Sequence, residues 1–316
     1  MVDVSTIIVS YNTAHLLGEA VGKLQTASQG LSVECIFVDN ASSDQSAAYI
    51  QQHFPHDVLI ENTHNVGFGR ANNQALAHAH GRYVLLLNTD AFVSPDTLQK
   101  TVAYMDQNPR CGILGVRLEG ADGGLQPCAR FFPTPWNLFV QRTGLNKLFP
   151  STQLVDDMDW DHASVRECDW VVGCYYLVRK EVIDQVGLFD PRYFLYFEEV
   201  DHCFAAKKAG WKVVFYPHTT VVHLGGESAK SSGAITKSGK QLSALQVESE
   251  ILYMRKNHGL HGLLLDIGLS LLADAVQTAK HLLRPSRWHQ LSSGTKHAQL
   301  FLQLCIKTRL GTKPTR

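Results

Sequence analysis

The chain has 316 residues, 45% of them hydrophobic, which suits one large domain with an appendage and excludes wholesale disorder. The formal net charge of zero conceals two unlike parts. Residues 255–316 hold ten lysines and arginines against two acids, Asp266 and Asp274, so the tail is +8 and residues 1–254 are −8. A basic tail on an acidic body suits an anionic membrane face or another polyanion; a solvated basic helical tail is the simpler account on composition alone. Seven scattered cysteines show no Cys-x-x-Cys pair and no zinc spacing, which points to a reducing compartment. Cys35 and Cys203 lie in apolar patterns and read as core thiols. No basic region followed by an apolar run opens the chain, so no signal peptide is expected. The most apolar window, Gly262–Ala275, is short and carries Asp266, which makes it a poor candidate for spanning a bilayer.

In chain order, Val4–Val9 reads as a strand, Ala14–Thr26 as a helix, Val33–Val38 as a strand and Asp44–His53 as a helix. Val58–Ile60 is a short strand, Arg70–Ala79 a helix and Tyr83–Leu87 a strand. Ser94-Pro95-Asp96 then opens a helix with a capping residue, a proline at the first helical position and an acid in the first turn. This rhythm predicts an α/β fold, a mostly parallel sheet with helices on both faces. Residues 120–169 are rich in proline and aromatics and read as long loops over a site. Order returns with a strand at Trp170–Val178, helices at Arg179–Val186 and Glu199–Ala209, and strands at Val213–Tyr216 and Thr219–His223 separated by a Pro217-His218 turn. From Ser243 the pattern is helical, with Leu264, Ile267, Leu271, Leu272, Ala275, Val276, Ala279 and Leu283 at three- and four-residue steps. The expected domains are 1–242, catalytic, and 243–316, a basic helical extension.

Polar clusters follow the strands, where an open α/β sheet gathers ligands. Leu85-Leu86-Leu87-Asn88-Thr89-Asp90 ends an apolar strand in an acid suited to a divalent cation and, through it, a diphosphate. Ser10-Tyr11-Asn12 and Asp39-Asn40-Ala41-Ser42-Ser43-Asp44 follow the first two strands. Asp39 reads as an acceptor for a base N–H or a ribose hydroxyl; Asn12 and Asp44 serve equally well as helix caps. Asn65-Val66-Gly67-Phe68-Gly69-Arg70-Ala71-Asn72-Asn73 turns into a helix whose N–H groups suit phosphate or ribose oxygens. It differs from a dinucleotide fingerprint, because Asn72 replaces the third glycine and the turn follows the third strand. Glu198, Glu199 and Asp201 open a helix after an aromatic run; burial and like charge would lift one carboxyl toward the range of a general base, while favourable interaction with the helix dipole is the simpler account. His223 ends the last strand before Gly225 and Gly226, positioned to complete a metal site begun by Asp90.

Taken in order, Thr6–Asn12, Val38–Asp44, Asn65–Asn73, Leu87–Asp90, Gly187–Asp190, Phe197–Asp201, Gly210-Trp211 and His223–Ser228 resemble the inverting nucleotide-sugar glycosyltransferases of family 2, which have the GT-A fold. Within that family the chain looks most like the rhamnosyltransferase-like branch that builds bacterial surface polysaccharides. The resemblance implies a GT-A (Rossmann-like) mixed sheet and a nucleotide-sugar donor, with dTDP-rhamnose first and UDP- or GDP-sugars next. It also implies a saccharide or polyprenyl-linked acceptor, a Mg²⁺ or Mn²⁺ ion on Asp90 and His223, and a cytoplasmic enzyme whose amphipathic helix around Leu263–Leu283, with Lys280, Arg284 and Arg287, lies in the inner membrane interface or packs on the catalytic domain or another subunit. By position Glu199 would be the base, with Glu198 beside it and Asp201 as a second-shell acid or the base itself. Asp39 and Ser10-Tyr11-Asn12 would seat the nucleoside, Arg70 and Asn72 the ribose or phosphates, and Asn65 and Asn88 would line the donor site. Asn88 stands where the family's metal motif usually has its first aspartate, and Glu199 stands where its acid pair usually has an aspartate. A homo-oligomer fits the apolar tail; a nucleic-acid partner is not expected. Two other readings stand beside this one: a sugar-nucleotide nucleotidyltransferase, which would carry a glycine-rich basic loop where this chain has Ser10-Tyr11-Asn12-Thr13, and a non-catalytic nucleotide-sugar-binding module.

Overall fold

The structure, a computed structural model, describes residues 2–225 and 244–316. These form two compact units. One comprises residues up to Arg130, Met158–Pro191 and the segment from Glu198; the other comprises Phe131–Asp157, Arg192–Phe197 and the C-terminal helices.

The first unit opens as β1 (Val4–Ser10), α1 (Ala14–Ala27), β2 (Val33–Asp39), α2 (Ser46–His53), β3 (Val58–Glu61) and α3 (Phe68–Ala75). It continues with β4 (Tyr83–Leu87), β5 (Ala91–Val93), α4 (Thr97–Gln107), β6 (Cys111–Glu119), β7 (Leu125–Gln126) and β8 (Ala129–Arg130). After the residues belonging to the second unit come β9 (Arg166–Cys168), β10 (Trp170–Val171), β11 (Tyr175–Arg179), α6 (Lys180–Val186), α7 (Glu198–Lys208) and β12 (Lys212–His223). Ten strands form one mixed sheet in the order β3-β2-β1-β4-β11-β6-β12-β5, with β7 on β6 and β9 on β12. Pairing is parallel through β3-β2-β1-β4 and again between β6 and β12, while β11 enters antiparallel between β4 and β6. All five residues of β4 are buried, so both faces of the sheet are covered there, as a parallel α/β sheet requires. The strand order reverses at β1, which places a ligand crevice at the carboxyl ends of β1, β2 and β4.

Several local expectations are corrected. The fourth helix begins at Thr97, not within Ser94-Pro95-Asp96: the Ser94 hydroxyl donates to the Thr220 carbonyl at 2.7 Å, and Asp96 accepts from Thr219 Oγ1 at 2.9 Å, so both side chains serve β12. The helix expected from Arg70 starts at Phe68, and its last turn, 76–78, tightens to 3₁₀. The strand expected over 170–178 breaks at 172–174. The two strands expected either side of Pro217 are one, β12, whose register shifts between Tyr216 and Thr220, where proline offers no N–H to the ladder.

In the second unit the proline-rich stretch is not all loop. Thr134 and Asn137 form a reciprocal capping box, and Pro135 occupies the first turn of α5 (Pro135–Thr143). The tail contributes α8 (Ala244–Leu282), a 3₁₀ turn (Pro285–Gln290) and α9 (Leu291–Lys307). Gly259, at φ +71°, interrupts α8, a conformation glycine adopts without a Cβ clash. By length and composition alone, α8 would suffice to cross a membrane. Its apolar content continues on both sides of the 262–275 window, and Asp266 is buried within the unit rather than presented outward.

Candidate active site

Ser10 and Asp39 end β1 and β2 in register, and the Asn40 N–H donates to the Ser10 carbonyl at 2.9 Å. Asp39 is 4% exposed. Its Oδ2 accepts from the Ser42 N–H at 2.9 Å, while its buried Oδ1 has no hydrogen-bond partner among the described residues. An unsatisfied buried carboxylate oxygen is costly, so a ligand N–H or hydroxyl would be held strongly there. Tyr11 lies half-buried beside it, and Ser10 Oγ is 3.0 Å from Thr13 Oγ1. Asn12, at φ +55°, accepts from the Ser43 N–H and hydroxyl and so ties the two loops together. Asp44 takes the capping role: it accepts from the Ala14 N–H at the start of α1 and from the Ser46 N–H at the start of α2.

The third loop is built largely from its own amides. Asn65 Oδ1 accepts from Asn40 Nδ2 and from the Gly67 N–H, each at 2.9 Å. Asn72, 1% exposed, donates to the Phe68 carbonyl inside α3, and Asn73 pairs with the Phe189 backbone. Arg70 Nε donates to the Pro191 carbonyl at 2.7 Å. Gly69 is needed for space: a Cβ there would lie 3.3 Å from Phe189 Cβ and 3.6 Å from Glu198 Cβ. This loop therefore seats α3 against the segment leading to the acidic helix. Gly226, Glu227 and Ser228 of the motif that begins at His223 lie outside the described residues.

Asp90 and His223 do meet. The Asn88 N–H donates to the Cys174 carbonyl at 3.0 Å, and the Ala91 N–H donates to the Asn88 carbonyl, closing a turn that buries Asp90. His223 Nε2 lies 3.6 Å from Asp90 Oδ1. The tautomer follows from a chain of forced donors. The His223 carbonyl can only accept, so the atom 2.8 Å away is the Gln126 amide nitrogen. Gln126 Oε1, which can only accept, then faces His223 Nδ1 at 3.0 Å, and Nδ1 must carry the hydrogen. Burial lowers the His223 pKa, against the pull of Asp90, and keeps the ring neutral. Its Nε2 lone pair therefore faces a carboxylate oxygen, an arrangement that a cation between them relieves. Oxygen and imidazole donors fit Mg²⁺ or Mn²⁺. Among the described residues no group of three or more His, Cys, Asp or Glu converges, so the remaining ligands would be diphosphate oxygens and water.

On α7, Glu198, Asp201 and His202 share a buried face, while Glu199 lies part-way round the helix and is only partly buried. The His202 ring faces inward: Nδ1 is 2.9 Å from the Tyr176 hydroxyl. Burial raises the Glu199 carboxyl pKa, and the Gly173 N–H and Arg130 charge partly offset that rise. Burial, with the Glu199 charge beside it, also raises the Glu198 carboxyl pKa well above its ordinary value. Glu199 Oε2 is buried and has no hydrogen-bond partner among the described residues. Glu199 accepts from the Gly173 N–H, and the turn that carries Asp90 is tied to the Cys174 carbonyl by the Asn88 N–H. The base candidate and the cation candidate thus flank one two-residue turn.

Residues 5–153 match the family model described as glycosyl transferase family 2. That segment, just under half of the chain, reads as a family 2 glycosyltransferase domain. Over 241 residues, 71% of this glycosyltransferase and 76% of the relative, it is 28% identical to the N-acetylglucosaminyl-diphospho-decaprenol L-rhamnosyltransferase of Mycobacterium tuberculosis. It is also 28% identical to the rhamnosyltransferase WbbL of Escherichia coli, over 50% of this chain and 60% of that one. The fold is similar to that of the mannosyltransferase PcManGT of Pyrobaculum calidifontis, solved with GDP-Man and Mn²⁺, with a TM-score of 0.53 at 16% identity over 97% of this chain and 86% of that one. These neighbours show the GT-A architecture expected from the sequence.

Sequence reasoning missed three parts of the glycosyltransferase site. Gln126 lies on the two-residue strand β7, too short for any pattern, and only the antiparallel β6–β7 pairing carries it toward the end of β12. Gly173 gave a signal, a glycine in the middle of an apparent strand, which often marks a bulge or a close backbone approach. Arg130, whose guanidinium stacks 4.9 Å over Trp170, gave none.

Proposed function

We propose that this glycosyltransferase moves L-rhamnose from dTDP-rhamnose, with inversion, to a saccharide or polyprenyl-linked acceptor in the synthesis of a bacterial surface polysaccharide, working in the cytoplasm. The observation that carries the reading is the placement of Glu199 and of the Asp90–His223 pair around the Gly173-Cys174 turn. The rhamnosyltransferase names of two relatives support the donor, and the decaprenol-linked substrate in one of those names supports the acceptor.

In this reading Asp39 Oδ1 accepts from the nucleoside, and Ser10 and Tyr11 line its seat, with Asn12 and Asn65 bracing the loops. Arg70, Asn72 and Asn88 shape the donor site around ribose and diphosphate. Asp90 and His223 would hold Mg²⁺ or Mn²⁺, which supplies positive charge against the departing diphosphate. Glu199 takes the proton of the attacking hydroxyl, because its raised pKa makes it a stronger base than an ordinary carboxylate and its Oε2 has no hydrogen-bond partner among the described residues. Glu198 stands beside it, and Asp201, on the buried face, is the supporting acid.

The decisive experiment incubates the protein with dTDP-rhamnose and an N-acetylglucosamine diphosphate lipid, with and without Mn²⁺. The expected result is acceptor-dependent release of dTDP and a product with inverted anomeric configuration by NMR. Release from UDP- or GDP-sugars alone would replace the donor. No release from any donor, with thermal stabilisation by nucleotide sugars intact, would favour the binding module.

A further inference from the structure

Between Leu260 and Leu283 the second part of α8 and its exit turn face outward with Leu260, Leu264, Leu265, Leu272, Leu282 and Leu283, exposed from 39% to 84%. The remaining exposed positions in this stretch are Gly268, Ala275, Ala279 and His261. The inward side is mixed: Leu263 and Ala273 are buried there, Ala273 against Phe139 and Val140 of α5, but so are four polar residues. Asp266, Ser270, Asp274 and His281 are buried; Arg142 of α5 donates to Ser270 Oγ at 3.0 Å and to Asp274 Oδ1 at 2.7 Å, and His297 of α9 lies 2.9 Å from Asp274 Oδ2. A helix in water carries the reverse pattern. Exposed apolar stripes of this extent mark a binding face. On α9, Leu302 and Ile306 are exposed one turn apart.

Charge selects the occupant. The two acids after residue 254, Asp266 and Asp274, are both buried, so this stretch presents no carboxylate side chain, while Arg284, Lys296, Lys307, Arg309 and Lys313 are exposed. At the end of the stripe a hollow of about 330 Å³ is lined by Thr143, Gln277, Lys280, Leu283 and Arg284. A leucine that is 84% exposed beside two cations, at the rim of a hollow, matches an acyl chain beneath an anionic headgroup. A second copy of the same face would oppose basic surface to basic surface. We infer that the outer face of α8, with the adjoining edge of α9, lies in the interfacial layer of an anionic bilayer. The helix does not span it, because its inner side is committed to polar partners on α5 and α9. This inference rests on surface pattern and charge alone and stands apart from the transferase chemistry.

The test is co-sedimentation of the full chain with phosphatidylcholine vesicles, alone or mixed with phosphatidylglycerol. The comparison is a variant carrying Leu264→Gln, Leu272→Gln and Leu283→Gln, and a second carrying Lys280→Gln and Arg284→Gln. The wild type should bind the anionic vesicles, more weakly at high salt and more weakly to phosphatidylcholine. The leucine variant should bind at least about tenfold more weakly with unchanged thermal unfolding. The cation variant should lose the preference for phosphatidylglycerol. Wild-type protein that ignores both vesicles, or a folded leucine variant that binds as well as wild type, overturns the inference. So does a wild-type dimer that becomes monomeric in the leucine variant and binds no vesicle.

Discussion

Glu198 and Glu199 are adjacent in sequence, both have a carboxyl pKa raised by burial, and the proposed reaction gives Glu199 the role of base. Glu199→Gln should cut turnover by about 10²–10⁴-fold with the fold intact, read as nucleoside diphosphate release beside an unchanged unfolding midpoint. The base must be ionised, so turnover should fall as pH drops through a pKa raised above the usual 4.5. Arg130 favours the ionised form; Arg130→Met should therefore move that acid limb to higher pH. A limb that stays put in the variant would separate Arg130 from Glu199. Gln126 acts through His223: Gln126→Leu frees the ring to change tautomer and rotate. Mn²⁺ binding, measured by calorimetry, should weaken about 10–100-fold, with nucleotide binding in the absence of metal unaffected.

The elements respond to their own local terms. Thr134→Ala removes half of the box that starts α5 and should cost about 1 kcal/mol, seen as a lower denaturation midpoint. Within the helical unit, burial and the neighbouring Glu250 push the Asp266 carboxyl up to about 9, from 3.8 in an unfolded chain. Between those values the folded state keeps a proton that the unfolded state has lost, so stability falls as pH rises. Asp266→Asn keeps a hydrogen-bonding side chain without the titration. It should melt like wild type near pH 4 and at a higher temperature near pH 9, the gap widening steadily; a pH-independent gap would remove Asp266 from this role. The parallel half of the sheet was legible because β1, β2 and β4 are apolar runs closed by polar turns, and Asp39, Asp90 and Glu199 stand at element ends where a pattern reader looks first. The antiparallel entry of β11 was not, because its apolar run matches that of a parallel strand and its partners are set by distant chain. The start of α5 was hidden by prolines that also mark loops. The role of Asn65 and Asn72 in loop building was equally invisible, since an amide that binds backbone reads the same as one that binds ligand.

At the scale of the whole molecule, all seven cysteines are free thiols, six buried and Cys35 partly so. Burial with the nearby Asp57 and Glu34 pushes the Cys35 thiol up to about 12, and burial pushes Cys111 and Cys203 up to about 12 as well. Thiolate is the reactive form, so the native protein should resist aromatic disulfide reagents and release seven equivalents only after unfolding. The quiet background has a practical consequence. A cysteine placed at Leu264 or Leu283 would be the fast-reacting site in the native chain, so a single maleimide spin label there could report immersion depth through its accessibility to oxygen and to a water-soluble nickel chelate.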